Sequence, residues 1–436
     1  MDTETRILKK EYYNYIIPSI VSQVVFTAYV IVDGIFVARG VSESALAAIN
    51  IAAPFMTFLW ALSLAFAAGT STVAARLMGE DRLDEARRVF SRNMAAMAVI
   101  GVLISVLVLI FLNPFCELLG ATDSTREYLK TYIGTVAPFV VFFIASYTFE
   151  ILTATDGYPR LATYTVSIGV VANVVLDWLL IFVWDRGVWG AAIATAISQV
   201  LVIIAYILHF CGKRANIRFC RFKVNRDAVR DVGACLVKGV PSGVTEFSSG
   251  LVTLIFVYSI QICLGDNELI AFSAAGYISQ LLLFVFVGIA QGSQPLLSYY
   301  NGAGEQDSID KLMRFQFRTI ACLGAVVASV MVLFADPLAK VFITSGEALS
   351  TYTVFVLKRF LVASLIAGFN VVIASYFTSM EKPGRGVIIS LGRCSVMLII
   401  GIVISAKLFG PDGIWWGMAI GEAFNLIMAT ILYRNE

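Results

Sequence analysis

Long apolar stretches separated by short polar interruptions dominate the chain. They fall at about 14–38, 46–77, 92–112, 131–153, 160–184 and 188–211. After a polar, basic stretch they resume at about 236–264, 269–299, 317–335, 352–379, 386–409 and 414–433. Each is long enough to cross a bilayer as a helix, which takes about 20 mostly apolar residues. The pattern predicts an all-α polytopic membrane protein with twelve transmembrane helices.

The stretches repeat. A shift of 223 positions aligns the two halves without a gap from the first helix into the loop after the second. Pro18-Ser19 falls on Pro241-Ser242, Leu46 on Leu269, Ala67 on Ala290, Gly69 on Gly292, Gly79 on Gly302 and Pro114 on Pro337. One further residue places Pro159 on Pro383. Prolines and glycines matching at one shift argue for a duplicated six-helix unit. Six helices per unit keep both copies in the same direction, a 6+6 parallel repeat. The expected organisation is an N-terminal lobe at 1–212, a basic link at 213–235 and a C-terminal lobe at 236–436.

Composition fits this picture. Of 436 residues 59% are hydrophobic and 14% charged, and the mean hydropathy is +0.83; soluble chains average about 25% charged. The net charge is only +2, but its distribution is uneven. With the N-terminus inside, 24 of the 32 Lys and Arg fall on the inner side, so both termini are expected to be cytoplasmic. The basic link reads as a juxtamembrane loop, not a nucleic-acid site. The start of the chain lacks a signal-peptidase pattern, and the first helix is expected to act as an uncleaved signal. The seven cysteines form no CxxC pair and read as small core residues. The single histidine, His209, sits near a helix end, where a structural role is expected.

The chemistry concentrates in the first lobe. Asp33 lies inside the first apolar run, and helical spacing puts Ser22, Phe26, Tyr29 and Asp33 on one stripe. A carboxylate at that depth costs at least about 2.5 kcal/mol unless neutralised, paired or hydrated. In the fifth run Asn173 and Asp177 stand at i, i+4 on one helix face, with Gly169 one turn earlier. Asp33 and Asp177 fall at matched depth, so the two acids are expected to meet and to titrate as a coupled pair. With the Asn173 amide oxygen they could hold a proton or Na⁺. Under the repeat Asp33 falls on Phe256, and the Asn173–Asp177 pair falls on apolar or glycine positions near Met397–Ile404. Gln23 falls on Glu246. The acidic pair therefore belongs to the first lobe alone.

The segments VDGIFVARG and ALAAIN, the AxPF of the second helix, the NxxLD at Asn173–Asp177 and GSQPLLSYYNGAG at Gly292–Gly304 together resemble the multidrug and toxic compound extrusion (MATE) family, in its MepA-like branch. The resemblance spans essentially the whole chain. It implies two six-helix bundles around a V-shaped central cavity, and a secondary antiporter that exports organic cations in exchange for H⁺ or Na⁺. By position Asp33, Asn173 and Asp177 match the family's ion site. One departure is that some members carry a coupling Glu in the seventh helix where this chain has Ser249; Glu246, one turn before it, lies on a similar face.

A substrate cavity is expected to draw on Tyr29, Asn50, Thr57 and Glu246, with Tyr277, Gln280, Phe284, Gln291 and Gln294 along the eighth helix. Pro54 predicts a kink. Glu422 reads as a structural pair or a substrate counter-ion. Glu150 and Asp156, near a predicted cytoplasmic end, read as solvated loop residues. Trp184, Trp189, Trp415 and Trp416 read as interface anchors. No nucleotide loop, HExxH, DxD or Ser-His pattern is present, so neither ATP hydrolysis nor another enzymatic activity is expected, and no cofactor beyond the coupling ion. The expected partners are small organic cations and the lipid bilayer, not nucleic acid, with a monomer in the plasma (inner) membrane of a prokaryote. The alternatives are a lipid-linked oligosaccharide flippase of the same superfamily, which would need intramembrane Lys or Arg for pyrophosphate, and a polytopic membrane enzyme.

Overall fold

A computed structural model describes residues 3–121, 125–223, 225–264, 266–342 and 347–435. Among these residues the secondary structure is helical throughout, and twelve helices are long and apolar enough to span a membrane. The first six are α1 (Thr3–Gly40), α2 (Glu43–Gly79), α3 (Leu83–Ile110), α4 (Arg126–Thr155), α5 (Pro159–Val183) and α6 (Gly187–Cys211). The second six are α7 (Arg226–Cys263), α8 (Asp266–Ala303), α9 (Gln306–Leu333), α10 (Glu347–Ser379), α11 (Pro383–Phe409) and α12 (Pro411–Arg434). Exposed Val, Leu and Ile stripe the helix surfaces, for instance Val99, Val102, Leu103, Val106, Leu107 and Ile110 of α3. Lipid, not water, is the solvent that such a surface requires. The chain is an integral membrane protein.

Local chemistry sets the helix ends. Ser42 caps α2, its hydroxyl accepting from the Ala45 amide at 3.1 Å. Pro159 and Pro383 occupy the first turn of α5 and α11, where the missing N–H costs nothing. Asn225 caps α7 through the Ala228 amide at 2.8 Å. The seventh helix therefore starts at Arg226 and absorbs the last part of the basic link, which sequence pattern alone placed before residue 236. The cause is the polar first turns of α7, which carry no apolar signal but are capped and tied by an ion pair from Arg92 to Asp231 at 2.6 Å.

The duplication is visible in the backbone. α3 and α9 both run 28 residues, starting at 83 and 306. The turns that follow α2 and α8 each carry a left-handed residue, Asp81 (φ 60°) and Gly304 (φ 73°), again 223 apart. Gly187 (φ 54°) and Gly410 (φ 73°) repeat the same spacing, and Gly157 (φ 96°) and Glu381 (φ 57°) repeat it with one residue added. Only the backbone demand for a tight reversal is shared, since two of these six positions carry a side chain.

By packing the chain divides into two compact units whose borders fall inside helices. One comprises residues 21–246 with 298–304; the other comprises 1–20, 247–297 and 305–436. Close glycine contacts explain the division. A Cβ on Gly69 of α2 would overlap the carbonyl oxygen of Cys235 in α7, and one on Gly239 would overlap that of Ala65. At the repeat-related position, a Cβ on Gly292 of α8 would stand 3.0 Å from the Tyr15 carbonyl oxygen of α1. The opening stretch of each repeat thus lies against the second helix of the other. In the unit of residues 21–246, α2 packs on α3 and α4, and α6 packs on α4 and α5. Its core gathers Phe90, Phe149, Tyr206 and Phe210, with Phe90 and Phe210 ring centroids 4.8 Å apart. In the other unit α12 lies against α10 and α11, and Phe256, Phe272, Phe360 and Trp415 form a ring cluster.

Replacing Gly69 or Gly239 by Val should destabilise the protein by at least about 1–3 kcal/mol, the usual range for overpacking, because the obstruction is backbone. Gly276→Ala, where a Cβ meets nothing within 4 Å, should be neutral or slightly stabilising. Thermal unfolding of the three purified variants checks the ranking.

Candidate functional site

The acids of α1 and α5 meet. The carboxyl groups of Asp33 and Asp177 lie within hydrogen-bonding reach of each other. Asp177 is fully buried and Asp33 half-buried. One oxygen of each, Oδ1, is sequestered without a hydrogen-bond partner. Two carboxylates in contact away from water repel strongly, so this geometry is one that shares a proton or a cation.

Neighbouring groups orient the pair. With its amide oriented by its hydrogen bonds, Asn173 donates to Asp177 Oδ2 at 2.8 Å, and its carbonyl oxygen accepts from the Thr195 amide of α6 at 3.2 Å. The i, i+4 spacing read from sequence thus produces a direct bond along one face of α5. The Thr195 hydroxyl donates to the Ala191 carbonyl at 3.0 Å, leaving lone pairs for the Tyr29 hydroxyl, which reaches it from α1. Tyr132 of α4 faces both acids. Tyr29 and Phe26 are ring neighbours at 5.7 Å, and Phe26 stands edge-on to Trp60 at 5.6 Å.

Directly after Asp177, α5 changes to a π-helical turn over Trp178–Val183. Such turns insert an extra residue into the helix and often accompany functional sites. Here the turn places Ile181 and Phe182 against Gly40 at the end of α1, where a Cβ would clash with both. The two helices that carry the acids therefore also meet one to two turns beyond them.

The other cavity candidates spread over different environments. Asn50 of α2 is exposed and Thr57 half-buried. Along α8 burial increases in chain order. Tyr277 and Gln280 are exposed, Phe284 and Gln291 half-buried, and Gln294 only 3% exposed. Gln294 is therefore a packed residue, while the Tyr277–Phe284 end is open. Glu246 is half-buried at the border of its unit.

Three sequence expectations need correction, and the open choice at Glu422 resolves to one of its two readings. Asp156 is not a solvated loop residue, since it is 1% exposed. Its carboxylate accepts from the Ile217 amide at 2.6 Å and pairs with His209 Nε2 at 2.9 Å, while its carbonyl accepts from Asn216 at 3.0 Å. Burial pushes its carboxyl above the ordinary range, against the opposing pull of the Ile217 amide and the His209 ring. Glu150 lies inside α4, half-buried, its carboxyl against the Ser22 hydroxyl of α1. Trp415 is not at an interface. It is fully buried and donates Nε1–H to the Tyr352 hydroxyl at 2.9 Å, whereas Trp184 and Trp189 are exposed. Glu422 is a structural pair: its Oε1 accepts from Arg393 Nε at 2.6 Å and its Oε2 from Asn370 at 2.7 Å. Arg393, which sequence reading passed over, sits in the second π-helical turn, Gly392–Val396 of α11. A basic residue in the middle of an apolar run was the available signal.

Comparison with known proteins accounts for both repeats. The MatE family model matches residues 18–179 and again 241–404, two stretches that begin 223 residues apart. The chain is 24% identical to the multidrug export protein MepA of Staphylococcus saprophyticus, over 96% of this chain and 92% of that protein. It is 24% identical to MepA of Staphylococcus aureus, over 97% and 93%. A crystal structure of a MATE protein in complex with MaL6 superposes with a TM-score of 0.91 at 21% identity, covering 100% of this chain and 98% of that one. The Vibrio cholerae MATE transporter VcmN, in its bent form, superposes with a TM-score of 0.91 at 19% identity over 100% and 98%.

Asp156→Ala should release the segment around Asn216 and Ile217. Loss of buried hydrogen bonds of this kind costs about 1–3 kcal/mol. Hydrogen exchange should rise at residues 214–220 while the helical content stays unchanged.

Proposed function

The chain belongs to the MatE family, and from that premise we propose that it is a proton-driven exporter of cationic, amphipathic compounds, with Asp33 and Asp177 as its coupling site. The observation that carries this reading is the direct contact of the two carboxyl groups, each holding one buried oxygen without a partner. Relatives named as multidrug export proteins cover nearly the full length of this chain, which supports small organic compounds as cargo.

Asn173 favours the proton over Na⁺. Its oxygen is engaged by the Thr195 amide and its NH₂ points at Asp177, so the amide oxygen counted on as a third cation ligand is turned away. Na⁺ would have to be held by the carboxylates with few other protein oxygens, whereas a shared proton needs nothing more than the pair itself.

The pair works as follows. With a shared proton Asp33 and Asp177 attract, and α1 stays against α5. Without it two like charges face each other, and the pair separates or attracts a cation. Proton binding therefore favours one arrangement of α1 over another, which is the differential affinity that coupling requires. The π-helical turn after Asp177 gives α5 a second point of contact with α1 at Gly40, through which the change is transmitted. Within the unit of residues 21–246, substrate cations are drawn by the acid pair and meet the rings of Tyr29, Phe26 and Trp60, which suit flat cations of varied shape. The uneven Lys and Arg distribution supports a plasma-membrane protein with both termini on the cytoplasmic side. A pyrophosphate-carrying lipid fits less well, because Arg393 is committed to Glu422 and Arg359 lies over the Phe355 ring and donates to the Phe355 carbonyl.

Asp33→Asn and Asp177→Asn should each reduce gradient-driven export to background at normal membrane levels. Asn173→Ala should cost about 1.5 kcal/mol, the scale of one hydrogen bond to a charged group, or close to a tenfold loss. Efflux of a fluorescent cation from cells with matched expression measures all three. A wild-type rate in Asp33→Asn would place the coupling site elsewhere.

A further inference from the structure

Between α6 and α7 the chain runs without helix, yet its backbone is held. The Arg214 carbonyl accepts from the Tyr158 hydroxyl at 2.9 Å, and the Asn216 carbonyl accepts from Arg87 Nε at 2.8 Å. The Ile217 amide donates to the Asp156 carboxylate at 2.6 Å, and the Cys220 amide donates to the Ser91 hydroxyl at 2.9 Å. Ala215 and Ile217 are buried, and the Phe219 ring centroid lies 4.9 Å from that of Phe90. Side chains of α3 and of the α4–α5 turn thus grip four backbone groups between Arg214 and Cys220. Connecting segments are ordinarily the mobile part of a fold, and fixing a backbone is the main entropic cost of folding.

What the grip leaves outside is cationic. Buried Ala215 and Ile217 alternate with exposed Arg214, Asn216 and Arg218, the two-residue period of an extended chain. Lys213, Arg221, Lys223 and Arg226 are exposed as well. These six cations fall within 213–226 with no acid among them. Among the described residues none of their side chains has a hydrogen-bond or ion-pair partner. The acids of the α2–α3 turn and the start of α3 are taken by arginines close to them in sequence. Glu80 pairs with Arg76 and Arg82, Glu85 with Arg82 at 2.6 Å, and Asp84 with Arg87 at 3.0 Å.

Position decides which anion the array fits. α6 exposes Leu201, Ile204 and Leu208 along its lipid-facing side, and Leu208 stands five residues before Lys213. The cations begin where that apolar surface ends, which is the depth of phospholipid headgroups, and the partly exposed ring of Phe219 stands among them. An anionic lipid already carries its phosphodiester at this depth. A nucleic acid or an acidic protein would have to reach it against the membrane surface.

We propose that the α6–α7 link is a binding site for anionic phospholipid headgroups, held in shape by Arg87, Ser91, Asp156 and Tyr158. Under the orientation proposed above it serves the leaflet that faces the cytoplasm, and it does not depend on the identity of the coupling ion. The grip on the backbone sets the cations in place before a lipid arrives, so binding does not have to order them. Each basic side chain near an anionic surface is worth about fivefold in affinity. A link with the same charges and a free backbone would bind less well.

The test uses the full-length protein in a neutral detergent, with binding of short-chain phosphatidylglycerol and phosphatidylcholine followed by native mass spectrometry. Wild type is compared with Arg218→Gln/Arg221→Gln, with Asp156→Ala, and with Lys9→Gln/Lys10→Gln, which removes two exposed charges from the start of α1. Wild type should bind phosphatidylglycerol more tightly than phosphatidylcholine. That preference should fall by at least about fivefold in Arg218→Gln/Arg221→Gln and persist in Lys9→Gln/Lys10→Gln. It should also fall in Asp156→Ala, which keeps every cation of the link. Equal affinity of wild type for the two lipids overturns the proposal. An equal loss in the two double variants overturns it as well, because the preference would then be a diffuse property of surface charge. Unchanged phosphatidylglycerol binding in Asp156→Ala, with hydrogen exchange raised at residues 214–220, overturns the preshaped site. Displacement of phosphatidylglycerol by sn-glycerol 3-phosphate at equal concentration would make the link a site for soluble phosphates, and overturns it too.

Discussion

Two carboxyl groups touching inside a lipid-facing helix bundle cannot both keep their charge without a third partner. Most features of the unit around Asp33 and Asp177 follow from that constraint. Asn173 donates to one of the acids and is itself fixed by the Thr195 amide. Tyr29 and Tyr132 close the site with hydroxyls and rings, not with a cation that would neutralise it permanently. What remains is a pair of buried oxygens available to something mobile. Under the proposed function this is what makes the pair a candidate coupling site and not a structural ion pair.

The second repeat shows the structural alternative. Phe256, which stands where Asp33 stands, is fully buried and stacked on Phe272 at 5.3 Å. The position matching Asp177 is Gly401, whose missing side chain admits the backbone of Gly417 and Gly421. Glu422 is neutralised within its own unit by Arg393 and accepts a further hydrogen bond from Asn370. A buried ion pair of this kind is held by geometry and is costly to break by removing one partner. One unit therefore carries an open acid pair and the other a closed acid–base pair, although their backbones repeat down to the left-handed turn residues.

The helices and the repeat were legible because lipid demands unbroken apolar runs and because prolines and glycines mark their ends at fixed spacing. The Asp33, Asn173 and Asp177 site was legible for the same reason, as acids and an amide stand out against such runs and i, i+4 spacing fixes their face. Features depending on contacts remote in sequence were not. Asp156 looks like a loop residue until Ile217 and His209, more than fifty positions away, close over it. Trp415 looks like an anchor until Tyr352 is placed beside its indole. The polar start of α7 has no hydrophobic signature, so its helix was missed. The π-helical turns at Trp178–Val183 and Gly392–Val396 leave no mark on hydropathy, since one added residue in an apolar run changes nothing that composition records.

The most direct test of the account is transport by the purified protein in sealed vesicles, driven by a pH gradient alone or a Na⁺ gradient alone. If the shared proton of Asp33 and Asp177 is the coupling species, the pH gradient should drive accumulation of an organic cation without Na⁺, and the Na⁺ gradient at equal pH should drive none. Accumulation with Na⁺ alone, and none with the pH gradient, would contradict it.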